Sequence, residues 1–265
     1  MTLRRSLALA FAALALTTLS PPAIDGAAAR PRVAKTSFTD AEIADGFFKV
    51  AFGAEYRLAG PSDRIRKFTA PVRVAIDGDK NPRRRATLEK VVATISARIA
   101  HLDIAIAAGG ETANLTVTLA RDRELASVIE KRFSRQHARA IRRRLDPQCL
   151  SGFRRNENFA IERAEVILAV DTDDFTFRDC AYEEMLQALG PINDTDTVPW
   201  TMFNDAVRTG TFGVYDQLLL NILYDPRIRP GMSASEVKAL LPKVLPEVRA
   251  FVTPRPSLPR ERRSD

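Results

Sequence analysis

The sequence contains few of the residues that build histidine-based metal sites. Its 265 residues include only two histidines, His101 and His137, together with two cysteines and one tryptophan. A zinc centre with three imidazole ligands is therefore excluded within this chain. Metal chemistry here would depend mainly on oxygen donors, and neutral amide oxygens suit calcium or magnesium better than zinc.

Long apolar segments are also scarce, and none is long enough to span a bilayer. The run from Leu7 to Leu16 is the most apolar stretch, and it is too short for a transmembrane helix. Arg4 and Arg5 precede it, and small residues at 27–29 offer a cleavage site, a pattern typical of a secretory signal peptide. We therefore expect residues 1–29 to be cleaved and the mature protein to be periplasmic or secreted.

The two cysteines fit an exported protein. An oxidising compartment favours a disulfide between Cys149 and Cys180, although two free buried thiols are the alternative. Such a bridge would fix the start of the segment that carries Glu183, three residues after Cys180.

The net charge of +7 is modest, and much of it lies between Lys131 and Arg144 and in the tail after Pro254. The first segment can meet anionic lipid headgroups, lipopolysaccharide or an acidic partner. The simpler alternative, which we favour, is a solvated helix face. A nucleic-acid partner is not expected, because the export signal directs the chain away from nucleic acid.

Hydrophobic periodicity predicts one α+β domain over residues 37–252, with a linker at 30–36 and a disordered basic tail at 253–265. Helices are predicted over 39–53, 83–100, 125–144, 215–224 and 233–249, and strands over 71–76, 102–106, 114–119 and 164–170. A further helix follows the last strand. We expect Thr176 to cap its start, with Asp179 three residues later, and Gly190 to follow its end.

That last helix carries the strongest functional pattern in the chain. Residues 183–196 keep the spacing H-E-x-x-H-x-x-G-x-x-H-x-x-D of a zinc-peptidase helix, but with every histidine replaced. Glu184 stands at the general-base position, and Gly190 and Asp196 are retained. The three metal-ligand positions hold Glu183, Gln187 and Asn193.

These replacements change what the site can do. Positions i and i+4 share one helix face, so Glu183 and Gln187 can point at one atom. A set of one carboxylate and two amides should lose most of its affinity for zinc, and without a metal nothing activates the attacking water. We therefore expect no cofactor, zinc included. A polar stripe on an exposed helix would give the same pattern.

A methionine-containing turn and a Tyr-Asp helix follow the motif. Met202 lies in the turn, and Tyr215 and Asp216 begin a segment similar to Y-D-x-x-A-L-x-x-L-Y. Together with the preceding strand, residues 164–225 resemble the metzincin-type secreted peptidases, although every metal ligand departs from their pattern. The resemblance implies a single zincin-like α+β domain, with a small mixed sheet, a long backing helix and the motif helix.

A longer resemblance covers most of the mature chain. It runs from Phe47–Gly53 (FFKVAFG) through 71–74 (PVRV), resumes at Asp179-Cys180 and the motif, and continues to 223–227 (LYDPR) and 229–232 (RPGM). These segments are similar to a family of uncharacterised proteobacterial exported proteins, often described as putative lipoproteins. This chain has no lipobox cysteine. The family implies compartment and fold rather than an activity.

Three functional hypotheses follow. The first, which we favour, is a non-catalytic zincin-like domain that binds a peptide or envelope protein in a degenerate peptidase cleft. The second is a peptidase-like hydrolase that uses Glu184 with an atypical metal or none. The third is a structural or adaptor protein of the envelope, in which the polar stripe faces solvent.

Overall fold

A computed structural model describes residues 35–52, 63–133, 148–191, 193–204 and 206–252. The predicted signal peptide, most of the linker, the basic tail and most of the Lys131–Arg144 segment lie outside these residues. None of the helices in these ranges is long and apolar enough to cross a membrane.

The described residues contain six helices and six strands. The helices are α1 (Asp40–Ala51), α2 (Pro82–Arg98), α3 (Asp122–Phe133), α4 (Asp174–Ala188), α5 (Val214–Tyr224) and α6 (Ala234–Val252). The strands are β1 (Lys67–Phe68), β2 (Val72–Gly78), β3 (Ile104–Ile106), β4 (Leu115–Ala120), β5 (Cys149–Arg155) and β6 (Ala160–Ala169).

The strands form one mixed sheet in the order β1-β6-β4-β2-β3, with β5 paired to β6 outside this path. Neighbouring strands along the path run parallel, and β5 is antiparallel to β6. The α2 crossover lets β2 and β3 pair in parallel, whereas a short turn after Arg155 reverses the chain between β5 and β6. The predicted single α+β domain with a mixed sheet is thus confirmed.

The two faces of the sheet carry hydrophobic cores of different size. The larger core joins one face of the sheet to five helices, with Phe47, Leu88, Met185 and Phe203 fully or almost fully buried. The smaller core joins α3 to the opposite face through residues such as Leu125, Ile129, Leu150 and Ile167. The motif helix α4 therefore belongs to the larger core.

One local prediction was wrong, one helix begins earlier than predicted, and two strands, β1 and β5, were missed. Asp173, not Thr176, caps α4: its carboxylate accepts hydrogen bonds from the backbone N–H groups of Phe175 and Thr176, at 2.9 and 3.0 Å. Asp179 instead lies inside the helix. The helix predicted over 125–144 already begins at Asp122, and its described part ends at Phe133. Strand β5 was not predicted, because CLSGFRR lacks a clear alternation.

Candidate functional site

The start of α4 is held by a buried arginine. The Arg84 guanidinium donates to the carbonyl of Val170 at 3.0 Å and to the Asp174 carboxylate at 2.9 Å. It also donates to the carbonyl of Thr172 and lies 4.5 Å from the centre of the Phe177 ring. Because the loop between β6 and α4 is fixed in this way, the helix leaves the sheet in a defined direction.

The end of α4 is fixed by a glycine and a tyrosine. Gly190 has φ of +139°, and a Cβ at this position would overlap the carbonyl oxygen of Arg66. The predicted C′ role of Gly190 is thus confirmed. The Tyr224 hydroxyl of α5 donates to the carbonyl of Leu189 at 2.8 Å, which satisfies one of the last acceptors of the helix.

A disulfide connects the middle of α4 to the first residue of β5. Cys149 and Cys180 are bonded, as predicted. The bridge places β5 directly beside the helix face that carries Gln187, because residues 180 and 187 lie about 20° apart around a helix axis.

The motif side chains of α4 are largely buried. Glu184 is 7% exposed and Gln187 is 5% exposed, whereas Glu183 is half-buried. The Gln187 amide donates to the Asp194 carboxylate at 2.6 Å, and its oxygen accepts from the Ser151 hydroxyl at 3.3 Å. Gln187 therefore links the loop after α4 to strand β5.

The third predicted ligand position has a different partner. The Asn193 amide donates to the backbone carbonyl of Lys49 in α1 at 2.7 Å. The residue that meets Gln187 is its neighbour Asp194, and Asp196 lies exposed on the surface. The structure thus brings Glu184 and Gln187 into one buried region but uses Asn193 to join the loop to α1.

The methionine turn is anchored by a buried carboxylate of α5. Asp216 is 1% exposed and accepts a hydrogen bond of 2.6 Å from the Thr201 hydroxyl. The backbone N–H of Met202 lies 3.3 Å from both of its oxygens. Burial raises the pKa of the Asp216 carboxyl to about 7, and these hydrogen bonds oppose the shift.

Tyr215 supports the same region from the other side. Its hydroxyl donates to the carbonyl of Glu42 in α1 at 2.6 Å, and the ring passes so close to Gly46 that any side chain there would overlap it. The ring also packs against Phe38 and Trp200. Tyr215 and Asp216 therefore position α1 and the methionine turn.

The described residues contain no group of three or more histidine, cysteine, aspartate or glutamate side chains that could hold a metal ion. An oxygen site would have to draw on Glu183, Glu184 and the Gln187 amide. Since the Gln187 oxygen already accepts from Ser151 and its nitrogen donates to Asp194, a metal at this oxygen would compete with the Ser151 hydroxyl and would have to fit an amide held at both ends.

Sequence reasoning missed Ser151 and Asp194 as parts of this region. Ser151 lies 36 residues from Gln187 along the chain, so no local spacing relates them. Asp194 follows Asn193 directly, and the choice between them depends on how the loop turns after Gly190. Only the three-dimensional path of the chain separates the two.

The fold and this region together define a class of protein: a single α+β domain with a mostly parallel sheet and a helix tied by a disulfide to an antiparallel edge strand. Residues 40–243 match the model of the family described as Protein of unknown function (DUF2927), and the chain belongs to that family. Searches of curated proteins and of solved structures each gave no significant match.

Proposed function

We propose that this protein is an exported, non-catalytic zincin-like domain that binds an extended peptide or a segment of an envelope protein along β5, beside α4. The observation that carries the proposal is the internal pairing of Gln187 with Asp194 and Ser151. The side chain at the middle ligand position thereby links β5 to the loop after α4.

The zincin-like interpretation is supported by the order of the elements. Strand β6 leads into α4, the turn with Met202 follows, and α5 begins with Val214-Tyr215-Asp216. This is the order on which the resemblance to metzincin-type peptidases rests. The mixed sheet and the long helix α2 also agree with that architecture.

Strand β5 offers the backbone groups that such a peptide needs. The N–H of Ala169 donates to the carbonyl of Gln148, and the register pairs Leu150 with Ile167. In an antiparallel pair, every second residue directs its backbone N–H and C=O groups toward the partner strand. Gln148 and Leu150 therefore bond to β6, whereas Ser151 and Phe153 direct their backbone groups away from it. Among the described residues no strand pairs with this outer edge of β5, and an extended peptide can add to an open edge.

A matched pair of substitutions tests this edge. Ser151→Pro removes one outward N–H, whereas Ser151→Ala removes the same contact with Gln187 but keeps that N–H. The probe is a synthetic peptide selected by the wild-type protein from a random phage-displayed library. We expect Ser151→Pro to weaken its binding about tenfold or more, and Ser151→Ala to weaken it less than about threefold.

Equal affinity for the two variants would overturn the proposed binding mode, and so would the failure of the wild-type protein to select any peptide. Hydrogen exchange gives a second measure. Bound peptide should slow exchange at Ser151 and Phe153, because their amides gain a partner.

A hydrolase that uses Glu184 is the second candidate, and the burial of this carboxylate within the motif region favours it. Peptide or peptidoglycan hydrolysis that disappears in Glu184→Gln would support it, and equal activity in that variant would rule it out. The adaptor hypothesis expects Glu183, Glu184 and Gln187 to face bulk solvent on a convex surface. Glu183 is half-buried, and the burial of Glu184 and Gln187 does not support this hypothesis. Anionic-surface binding through 131–144 stays a prediction, although Arg132 pairs with Asp77 at 2.6 Å.

A further inference from the structure

Helix α4 borders a second concave region on the side that faces α2. Residues Asp174, Arg178 and Tyr182 of α4 line an open groove of about 770 Å³. They recur at intervals of four residues and form one stripe. Gln187 lies about 140° from Tyr182 around the helix axis, so this groove is separate from the region beside β5.

The groove is strongly basic. Its lining carries one carboxylate, that of Asp174, and five cationic side chains, which are Arg83, Arg84, Lys90, Arg98 and Arg178. The formal charge of the lining is therefore five positive minus one negative, or +4. A cleft lined by one sign of charge attracts ligands of the opposite sign.

Much of this positive charge is not used inside the protein. Arg83 and Arg84 share Asp174, but the ammonium group of Lys90 has no hydrogen-bond or ion-pair partner among the described residues. Among the described residues, the guanidinium of Arg98 makes only a long contact of 3.4 Å to the Gln217 amide oxygen. Arg178 uses its Nε to reach the carbonyl of Gly210 at 2.9 Å, so the described contacts do not use its terminal nitrogens. These groups remain available to an acidic ligand.

The shape of the groove favours an elongated ligand with some apolar surface. Its lining follows α2 from Arg83 to Arg98, a distance of about 22 Å at 1.5 Å per residue. Between the charged groups, Ala93, Ala97 and the Tyr182 ring provide small or apolar surface. An extended chain of about seven residues spans that length.

We propose that the α2–α4 groove binds an extended acidic peptide segment of a partner protein. Guanidinium groups predominate in the lining and bind carboxylates with two parallel hydrogen bonds. Side chains that alternate with the carboxylates would pack on Ala93, Ala97 and Tyr182. The Asp174 carboxylate would repel a chain of closely spaced phosphates, and Ala93, Ala97 and Tyr182 offer apolar surface to peptide side chains. The lining therefore fits a peptide better than a polyphosphate.

A charge-reversal experiment tests this proposal. The probe is a fluorescent peptide of about eight residues in which glutamate alternates with valine, and its neutral analogue carries glutamine instead. The groove variant is Lys90→Glu/Arg98→Glu, and its matched control is Lys238→Glu/Lys243→Glu, which makes the same change in net charge on exposed positions of α6. Circular dichroism and thermal melting establish that each variant is folded.

We expect the wild-type protein to bind the glutamate peptide, more weakly as salt rises, and the glutamine peptide at least about tenfold more weakly. The groove variant should lose about tenfold or more in affinity, and the control less than about twofold. Equal losses in both variants, or no binding by the wild-type protein at low salt, would overturn the proposal. So would tighter binding of inorganic tripolyphosphate or of anionic phospholipid vesicles with the same dependence on Lys90 and Arg98.

The result is independent of the proposed peptide site at β5. Ser151→Pro should leave binding of the glutamate peptide unchanged, because Ser151 does not line the α2–α4 groove. A protein that fails the β5 test and passes this one would keep the groove as its binding site.

Discussion

The two faces of α4 differ in how their polar side chains are used. Toward β5, Gln187 is buried and has internal partners at both ends of its amide. Toward α2, Arg178 is exposed and lines a groove. In this groove the ammonium group of Lys90 has no hydrogen-bond or ion-pair partner among the described residues. One helix thus has a face whose side chains bond within the domain and another face whose charges can bind a ligand.

This difference shows that the spacing of a zinc-peptidase motif can be present while its side chains serve the packing of the domain. Burial gives the residues of the motif face structural roles, since each polar atom removed from water needs a partner. The exposed charges of the other face contribute little to folding and can interact with a ligand. Substitutions on the two faces should therefore differ in their effect on stability.

The largest loss should follow removal of the disulfide on the β5 side of α4. Cys149→Ala/Cys180→Ala should lower the free energy of unfolding by about 3.5 kcal/mol. The two cysteines are separated by 31 positions in the sequence, and a bridge that closes a loop of this length lowers the entropy of the unfolded chain. Urea denaturation measures the change. The wild-type protein unfolded with a reducing agent should show a similar loss, and an undiminished midpoint would contradict the prediction.

Gly190→Ala should be nearly as severe, at about 3 kcal/mol. The positive φ disfavours a side chain there, and the new methyl group would overlap the carbonyl of Arg66. Gly109→Ala is the control, because no atom lies within 4 Å of its Cβ position, and it should change stability by less than about 0.5 kcal/mol. Equal effects of the two substitutions would show that the end of α4 is not fixed as described.

Asp216 should make stability depend on pH. Burial raises the pKa of Asp216 from 3.8 to about 7, so the folded state holds the proton more tightly than the unfolded state does. The stabilisation that this bound proton gives the folded state is fully present below pH 3.8 and is lost as pH rises through 7. Between pH 5 and pH 7 this group should cost the wild-type protein about 2 kcal/mol relative to Asp216→Asn. A wild-type profile parallel to that of Asp216→Asn would refute the shift.

Gln187→Glu should destabilise the protein by about 1.5 kcal/mol at neutral pH, because it replaces the amide donor by a second carboxylate beside Asp194. The double variant Gln187→Glu/Asp194→Asn restores a donor to the pair and should recover part of the loss. Additive effects in this cycle would mean that the two side chains do not interact.

The smallest effect should come from the groove face. Lys90→Ala should change the free energy of unfolding by less than about 0.5 kcal/mol, because Lys90 is exposed and no described residue pairs with it. A loss similar to that of Gln187→Glu would remove the contrast between the two faces.

Much of the architecture could be predicted from sequence, because it depends on local patterns. The helices predicted over 39–53 and 83–100 are present as α1 and α2, with ends within two residues of the predicted ones. The pairing of Cys149 with Cys180 followed from the predicted compartment. Strand β5 could not be predicted in this way, because Ser151 and Gly152 interrupt its alternation of apolar and polar residues.

The candidate site was less predictable because it depends on distant contacts. The motif spacing grouped Glu183, Gln187 and Asn193, but the Gln187 amide bonds to Asp194, and the Asn193 amide bonds to the carbonyl of Lys49 in α1. The groove was missed because its stripe on α2, including Lys90 and Arg98, looks like an ordinary solvated helix face. Only its position beside α4 makes it concave.

The most direct test of the central proposal is the zinc content of the protein, purified without chelators. Since Gln187 is held by Ser151 and Asp194, we expect elemental analysis to find well under one zinc ion per chain and calorimetry to detect no binding tighter than about 0.1 mM. One tightly bound zinc ion per chain, lost in Gln187→Ala, would contradict the account and favour the hydrolase.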